Sequence, residues 1–235
     1  MKRQHVAALI AEALGTFVLT LVVLNVSRLG YPFFTAIAAA VALAVSVSVF
    51  GKISGSHINP AVTIGMFSLR RIGFVKTIAY IVAQVLGAVA AWQIYEQLSE
   101  RTLKNISNSG FDWRIFTAEA IGALIFGIAV TVAVTQDSES KNSAYIQGAG
   151  LFLGLTVAGL ASLAIINPAV AVGVRSVDVN YVLGPIIGFL VGANLYAWVL
   201  NPVFVKSKAS KAVATSAKPA VKAEVKKAPA KKTVA

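Results

Sequence analysis

The triplet Asn-Pro-Ala occurs twice, at Asn59-Pro60-Ala61 and at Asn167-Pro168-Ala169, 108 positions apart (167 − 59). Each copy opens an apolar stretch too short to cross a bilayer. Residues 60–69 and 168–174 make one to three helical turns, about 15 Å at most, against roughly 30 Å of hydrocarbon. Asn is a preferred N-cap and Pro suits the first helical position, so each triplet predicts a helix start. A helix that begins inside a membrane needs protein or water to meet its unpaired N–H groups. Two such starts in matching halves of a hydrophobic chain predict a polar passage at mid-membrane.

The rest of the chain fits that setting. Of 235 residues, 57% are hydrophobic and 13% charged, with a mean hydropathy of +0.77; soluble domains run near about 25% charged. A net charge of +12 suggests a nucleic-acid binder until it is located. Residues 203–235 hold nine lysines and one acid, Glu224, a net +8, which leaves +4 for the other 202 residues. That Lys/Ala/Pro-rich segment has no helical period and is predicted to be a disordered cytoplasmic tail. Its expected partner is the anionic lipid surface, at about 1 kcal/mol per lysine close to the headgroups, and not nucleic acid. With no cysteine and two histidines, disulfides and a usual zinc site are excluded, and no cofactor or metal is expected.

Six spans are predicted from runs of about 20 apolar residues: 6–28, 33–51, 74–95, 115–135, 145–163 and 180–202. The first begins just after Met1-Lys2-Arg3-Gln4-His5 and is long enough to be a retained span, not a cleaved leader. The halves repeat. Ala11-Glu12-Ala13-Leu14-Gly15 returns as Ala118-Glu119-Ala120-Ile121-Gly122, and Tyr80, Gln84 and Gly87 are echoed by Tyr181, Pro185 and Gly188. Three spans per repeat force the second copy to enter from the opposite side, an inverted repeat over about 6–95 and 115–202. Lys2, Arg3, Arg70, Arg71, Lys76 and the lysine tail fall on one side if both termini are cytoplasmic, with the mixed-charge loop 96–114 outside. The expected location is the plasma membrane.

The run Ser54-Gly55-Ser56-His57-Ile58-Asn59-Pro60-Ala61-Val62-Thr63, with Glu12 and Gly15-Thr16 in the first span and Gly184-Pro185 with Gly188 in the last, resembles the aquaporin family of major intrinsic proteins. The resemblance covers about residues 5–202. It implies an all-α bundle of six tilted transmembrane helices with two re-entrant half-helices meeting at the centre. It also implies a homotetramer with one pore per subunit, carrying water and small neutral solutes.

Within that frame Asn59 and Asn167 are the expected central site. Each side-chain oxygen caps its own half-helix and each NH₂ faces the passage as a donor. Both half-helices aim positive ends at one spot, which welcomes a lone pair and repels a cation. Pro60, Pro168, Ala61 and Ala169 support the site as first-turn and close-packing residues. Glu12 and Glu119, the only acids in the proposed spans, need hydrogen-bond donors when buried. They are expected to hold the irregular backbone before each half-helix; proton relay is the sharper alternative. By resemblance, His57 shapes its re-entrant loop, and the carbonyls around Gly55, Ser56 and His57 and around Ala164, Ile165 and Ile166 line the two halves of the pore.

The chain departs from the family at the outer constriction. The residue after the second triplet, usually arginine, is Val170. Arg175 lies about 140° further round a helix and faces elsewhere. Counting back from the first triplet puts the usual aromatic at Ala39, and the fifth-span position falls at Leu155 or Val157. A filter of Ala39, Leu155 and Val170 is wider and less polar than a water-specific one. The sequence therefore predicts a passive channel for water or small uncharged solutes such as glycerol, urea, ammonia or peroxide. The alternatives are a channel for apolar or gaseous solutes and a membrane scaffold with a closed pore. An enzyme is the weakest rival, because the spans supply no nucleophile, base and orienting group together.

Overall fold

The computed structural model describes residues 3–106, 110–136 and 140–201; the lysine-rich tail lies outside them. Eight α-helices follow one another among the described residues. They are α1 (Arg3–Ser27), α2 (Pro32–Phe50), α3 (Pro60–Ser68), α4 (Phe74–Ser99), α5 (Trp113–Thr135), α6 (Ser140–Ala158), α7 (Pro168–Gly173) and α8 (Val179–Asn194), the last running into a π-helical turn, Leu195–Leu200. Six of these match the predicted spans, and α3 and α7 are the two half-helices. Five helices, α1, α2, α4, α5 and α8 with its π turn, are long and apolar enough to cross a membrane. The sixth, α6, opens on Ser140-Lys141-Asn142-Ser143, and this polar first turn lowers its mean hydropathy.

Local chemistry sets the helix ends. Pro32 occupies the first turn of α2. Asp112 caps α5 by accepting from Arg114 N at 2.8 Å, and Asp178 caps α8 by accepting from Asn180 N at 2.8 Å and Tyr181 N at 3.1 Å. The expected span 145–163 stops early, at Ala158. The chain then turns so that the Ser162 hydroxyl reaches Glu119, and residues 159–163 join the re-entrant segment.

The two repeats pack alike: α1 lies against α4 and α2, and α5 lies against α8 and α6, while α2 and α6 join the halves. Both α1–α4 and α5–α8 crossings rest on close glycine contacts, and the second also uses Gly192 and Gly127. A Cβ on Gly87 would overlap the Ala13 carbonyl, and one on Gly188 would overlap the Ala120 carbonyl. These small residues let the backbones approach closely where lipid gives no apolar driving force between helices.

Candidate conducting pathway

Each re-entrant segment is unrolled by alternating left-handed residues, Ser56 (φ 51°) and Ile58 (φ 41°) in the first, Ala164 (φ 55°) and Ile166 (φ 40°) in the second. Such backbone persists only where surrounding bonds over-determine it. A buried carboxylate supplies them. Glu12 Oε1 accepts from His57 N at 2.9 Å, and Oε2 accepts from Ile58 N at 2.7 Å and Gln84 Nε2 at 2.8 Å. Glu119 Oε1 accepts from Ile165 N at 2.9 Å and Ser162 Oγ at 2.6 Å, and Oε2 accepts from Ile166 N at 2.6 Å. Both carboxylates are fully buried. The third donor differs because Pro185 stands at the position of Gln84 and has none to offer. Gln84 Nε2 also donates to Thr63 Oγ1 at 2.9 Å, and Thr63 Oγ1 meets His57 Nδ1 at 3.2 Å. Tyr80 donates to the Ser54 carbonyl at 2.7 Å, and the Tyr181 hydroxyl accepts from Leu163 N at 3.1 Å.

The half-helices meet at their starts. Asn59 Oδ1 accepts from Ala61 N at 2.8 Å, and Asn167 Oδ1 accepts from Ala169 N at 3.0 Å and Val170 N at 3.4 Å. Each amide also donates across the pseudo-twofold, Asn59 Nδ2 to the Ile166 carbonyl and Asn167 Nδ2 to the Ile58 carbonyl, both at 3.0 Å. One N–H per amide is thus committed to the other repeat, and the other takes no part in these bonds. Pro60, Ala61, Pro168 and Ala169 are buried beneath these caps.

A cavity of about 520 Å³ descends to Asn167 from the side opposite the chain termini. Ala39, Leu155 and Val170 all line it, with Leu19, Val23 and Val174; Val157 is not on its wall. Ala164 and Ile165 line it too, whereas the Ile166 carbonyl is taken by Asn59. Gly55, Ser56 and His57 lie beyond the asparagines, toward the termini. Arg175 is absent from the wall; its guanidinium stacks over the Trp92 ring of α4 at 4.3 Å. Gln84, Thr63 and Ser162 were not expected at the site, although Ser162 stands 108 residues after Ser54.

The description "Major intrinsic protein" belongs to a family whose model matches residues 1–200. The chain belongs to the major intrinsic protein family. Aquaporin AqpM of Methanothermobacter thermautotrophicus is 30% identical over 186 residues, covering 68% of this chain and 74% of that relative. Aquaporin NIP1-1 of Zea mays is 32% identical over 210 residues, covering 80% of this chain and 73% of the relative. The aquaglyceroporin of Plasmodium falciparum shares the fold, with a TM-score of 0.74 at 23% identity, over 86% of this chain and 99% of that one. Family membership makes this chain a multi-pass membrane protein of the aquaporin channel family, which supports a channel over an enzyme.

The chain lacks cysteine, so Ala39→Cys would place the sole thiol on the cavity wall of this major intrinsic protein. A membrane-impermeant thiol reagent added on the side opposite the termini is expected to label it at least about tenfold faster than Ala91→Cys, whose site is fully buried in α4. Equal labelling by mass spectrometry would contradict this placement of Ala39.

Proposed function

We propose that this protein is a passive channel for water and small uncharged solutes, with Asn59 and Asn167 as the central hydrogen-bonding site. The observation that carries the reading is the meeting of the two asparagine-capped helix starts through reciprocal amide bonds, with Asn167 on the floor of the cavity and one N–H of each amide uncommitted. Two helix starts place roughly half a positive charge each at that point, which favours a solute lone pair and opposes a cation. Glu12 and Glu119 act as scaffolds: every acceptor contact they make is to the re-entrant segments or to Gln84 beside them. The protein works as a homotetramer in the plasma membrane with both termini cytoplasmic, an orientation supported by Arg3, Arg70, Arg71 and Lys76 gathering on the termini side.

The wall of Ala39, Leu155 and Val170 offers a solute no side-chain hydrogen bond, which supports a second reading in which apolar solutes cross faster than water. Stopped-flow light scattering on proteoliposomes separates the two. Fast shrinkage in a sucrose gradient identifies a water channel, and fast re-swelling in glycerol identifies a polyol pathway. Rates equal to those of empty liposomes in both gradients would contradict the main reading.

A further inference from the structure

The 108-residue offset between the triplets also relates the walls on either side of them. Ala39, Leu155 and Val170 surround the cavity above the asparagines. At the same offset stand Gln147 on α6, Val47 on α2 and Val62 on α3. Leu19 of the cavity wall corresponds, one residue closer, to Phe126 on α5.

Helix geometry places the same residues independently. Along α6, Leu151 and Leu155 line the cavity, and Gln147 lies on their stripe four and eight positions earlier. At 1.5 Å per residue it sits about 6 and 12 Å deeper than they do. Along α2, Ala39 lines the cavity and Val47 continues its stripe two turns further in. Val47, Val62 and Phe126 belong to one contiguous buried cluster with Leu155 and Val170.

The two rings are unequal. From the cavity side to the termini side, Ala39 gives way to Gln147 and Leu19 to Phe126, both larger. Leu155 gives way to a slightly smaller Val47, and Val170 to the identical Val62. The inner ring is therefore the bulkier one, and it holds one amide. Gln147 is 5% exposed, and its Nε2 donates to Ser143 Oγ at 3.1 Å. Among the described residues this is the one side-chain bond recorded for it, so the second N–H and the carbonyl oxygen stay available.

We propose that the selective constriction of this channel lies on the termini side of the asparagine pair, at Gln147, Val47, Val62 and Phe126. Gln147 is its specificity-determining group, exchanging hydrogen bonds with a small neutral solute that carries donors or acceptors. The proposal rests on the channel reading above. A solute entering an apolar ring sheds water, and the amide replaces part of what is lost.

The test uses the full-length chain in proteoliposomes, comparing wild type with Gln147→Leu and Gln147→Ala at matched incorporation. Gln147→Leu keeps the bulk and removes the amide, and water permeability is expected to fall about tenfold. Gln147→Ala opens the ring, and glycerol entry is expected to rise about tenfold, a gain that no misfolded chain produces. If wild type conducts while both variants stay within about twofold of it, the inner constriction is overturned and the channel reading stands. If wild type matches empty liposomes for water and glycerol, the channel reading itself fails and takes the proposal with it.

Discussion

Gly188→Val is expected to leave no assembled protein. A Cβ at this position would overlap the Ala120 carbonyl, with the Ala120 carbon and Cα close behind. These are backbone atoms of α5, so no rotamer change can make room, and α8 must separate from α5 along its length. Overpacking in a yielding core costs about 1–3 kcal/mol; against rigid backbone the cost exceeds that and consumes much of a total stability of about 5–15 kcal/mol. Gly87→Val should behave alike, since its Cβ meets the Ala13 carbonyl. Gly73→Ala is the control: nothing lies within 4 Å of the added carbon and its φ of −82° is ordinary. The measurement is yield and monodispersity in detergent with thermal melting by circular dichroism. A Gly188→Val protein that elutes and melts like wild type would refute the account of this crossing.

Glu12→Leu is expected to abolish permeability by releasing the first re-entrant segment. The substitution orphans three N–H groups, those of His57 N and Ile58 N and one of the two on Gln84 Nε2, whose other N–H keeps Thr63 Oγ1. Each unsatisfied donor costs about 1–3 kcal/mol, so the loss is roughly 3–9 kcal/mol before relaxation. Relaxation is the cheaper course: the left-handed Ser56 and Ile58 return to ordinary φ values, Asn59 moves, and its bond to the Ile166 carbonyl breaks. Glu119→Leu removes the matching support from Ile165, Ile166 and Ser162. Glu12→Gln keeps the volume but turns an NH₂ toward donors, giving an intermediate loss. Hydrogen–deuterium exchange over residues 52–63 reads the effect directly. Wild-type protection of His57 and Ile58 in Glu12→Leu would show that the carboxylate does not hold the segment.

What the chain shows without coordinates is what local rules govern. Asn before Pro at the head of a short apolar run is a helix start wherever it occurs, so both half-helices are readable, as is the inversion that three spans per repeat require. The pairing of Ala11-Glu12 with Ala118-Glu119 marks both buried acids because they stand at nearly equal distances from their triplets, 47 positions (59 − 12) and 48 (167 − 119). Features set by contact between distant segments are not readable. The end of α6 at Ala158 depends on Ser162 reaching Glu119 across 43 positions. The engagement of each asparagine amide by the opposite repeat depends on two loops meeting. Gln84 appears in the sequence as a marker of the repeat, and only its approach to Glu12 gives it a task. Alignment by counting left Leu155 and Val157 both open for the fifth span; the cavity wall takes Leu155.

The opposed half-helices carry one further consequence. Their starts meet and their far ends diverge, each closed by a left-handed arginine, Arg70 (φ 57°) or Arg175 (φ 63°). The axial moments of α3 and α7 therefore oppose one another across the membrane plane. Transferring one elementary charge through 100 mV involves about 2.3 kcal/mol, but this pair presents only the difference between a nine-residue and a six-residue moment to the field, and a neutral solute presents no charge. The resting potential of a cell then does little work on either, so flux through the proposed neutral-solute channel is expected to follow the concentration gradient with little dependence on membrane voltage.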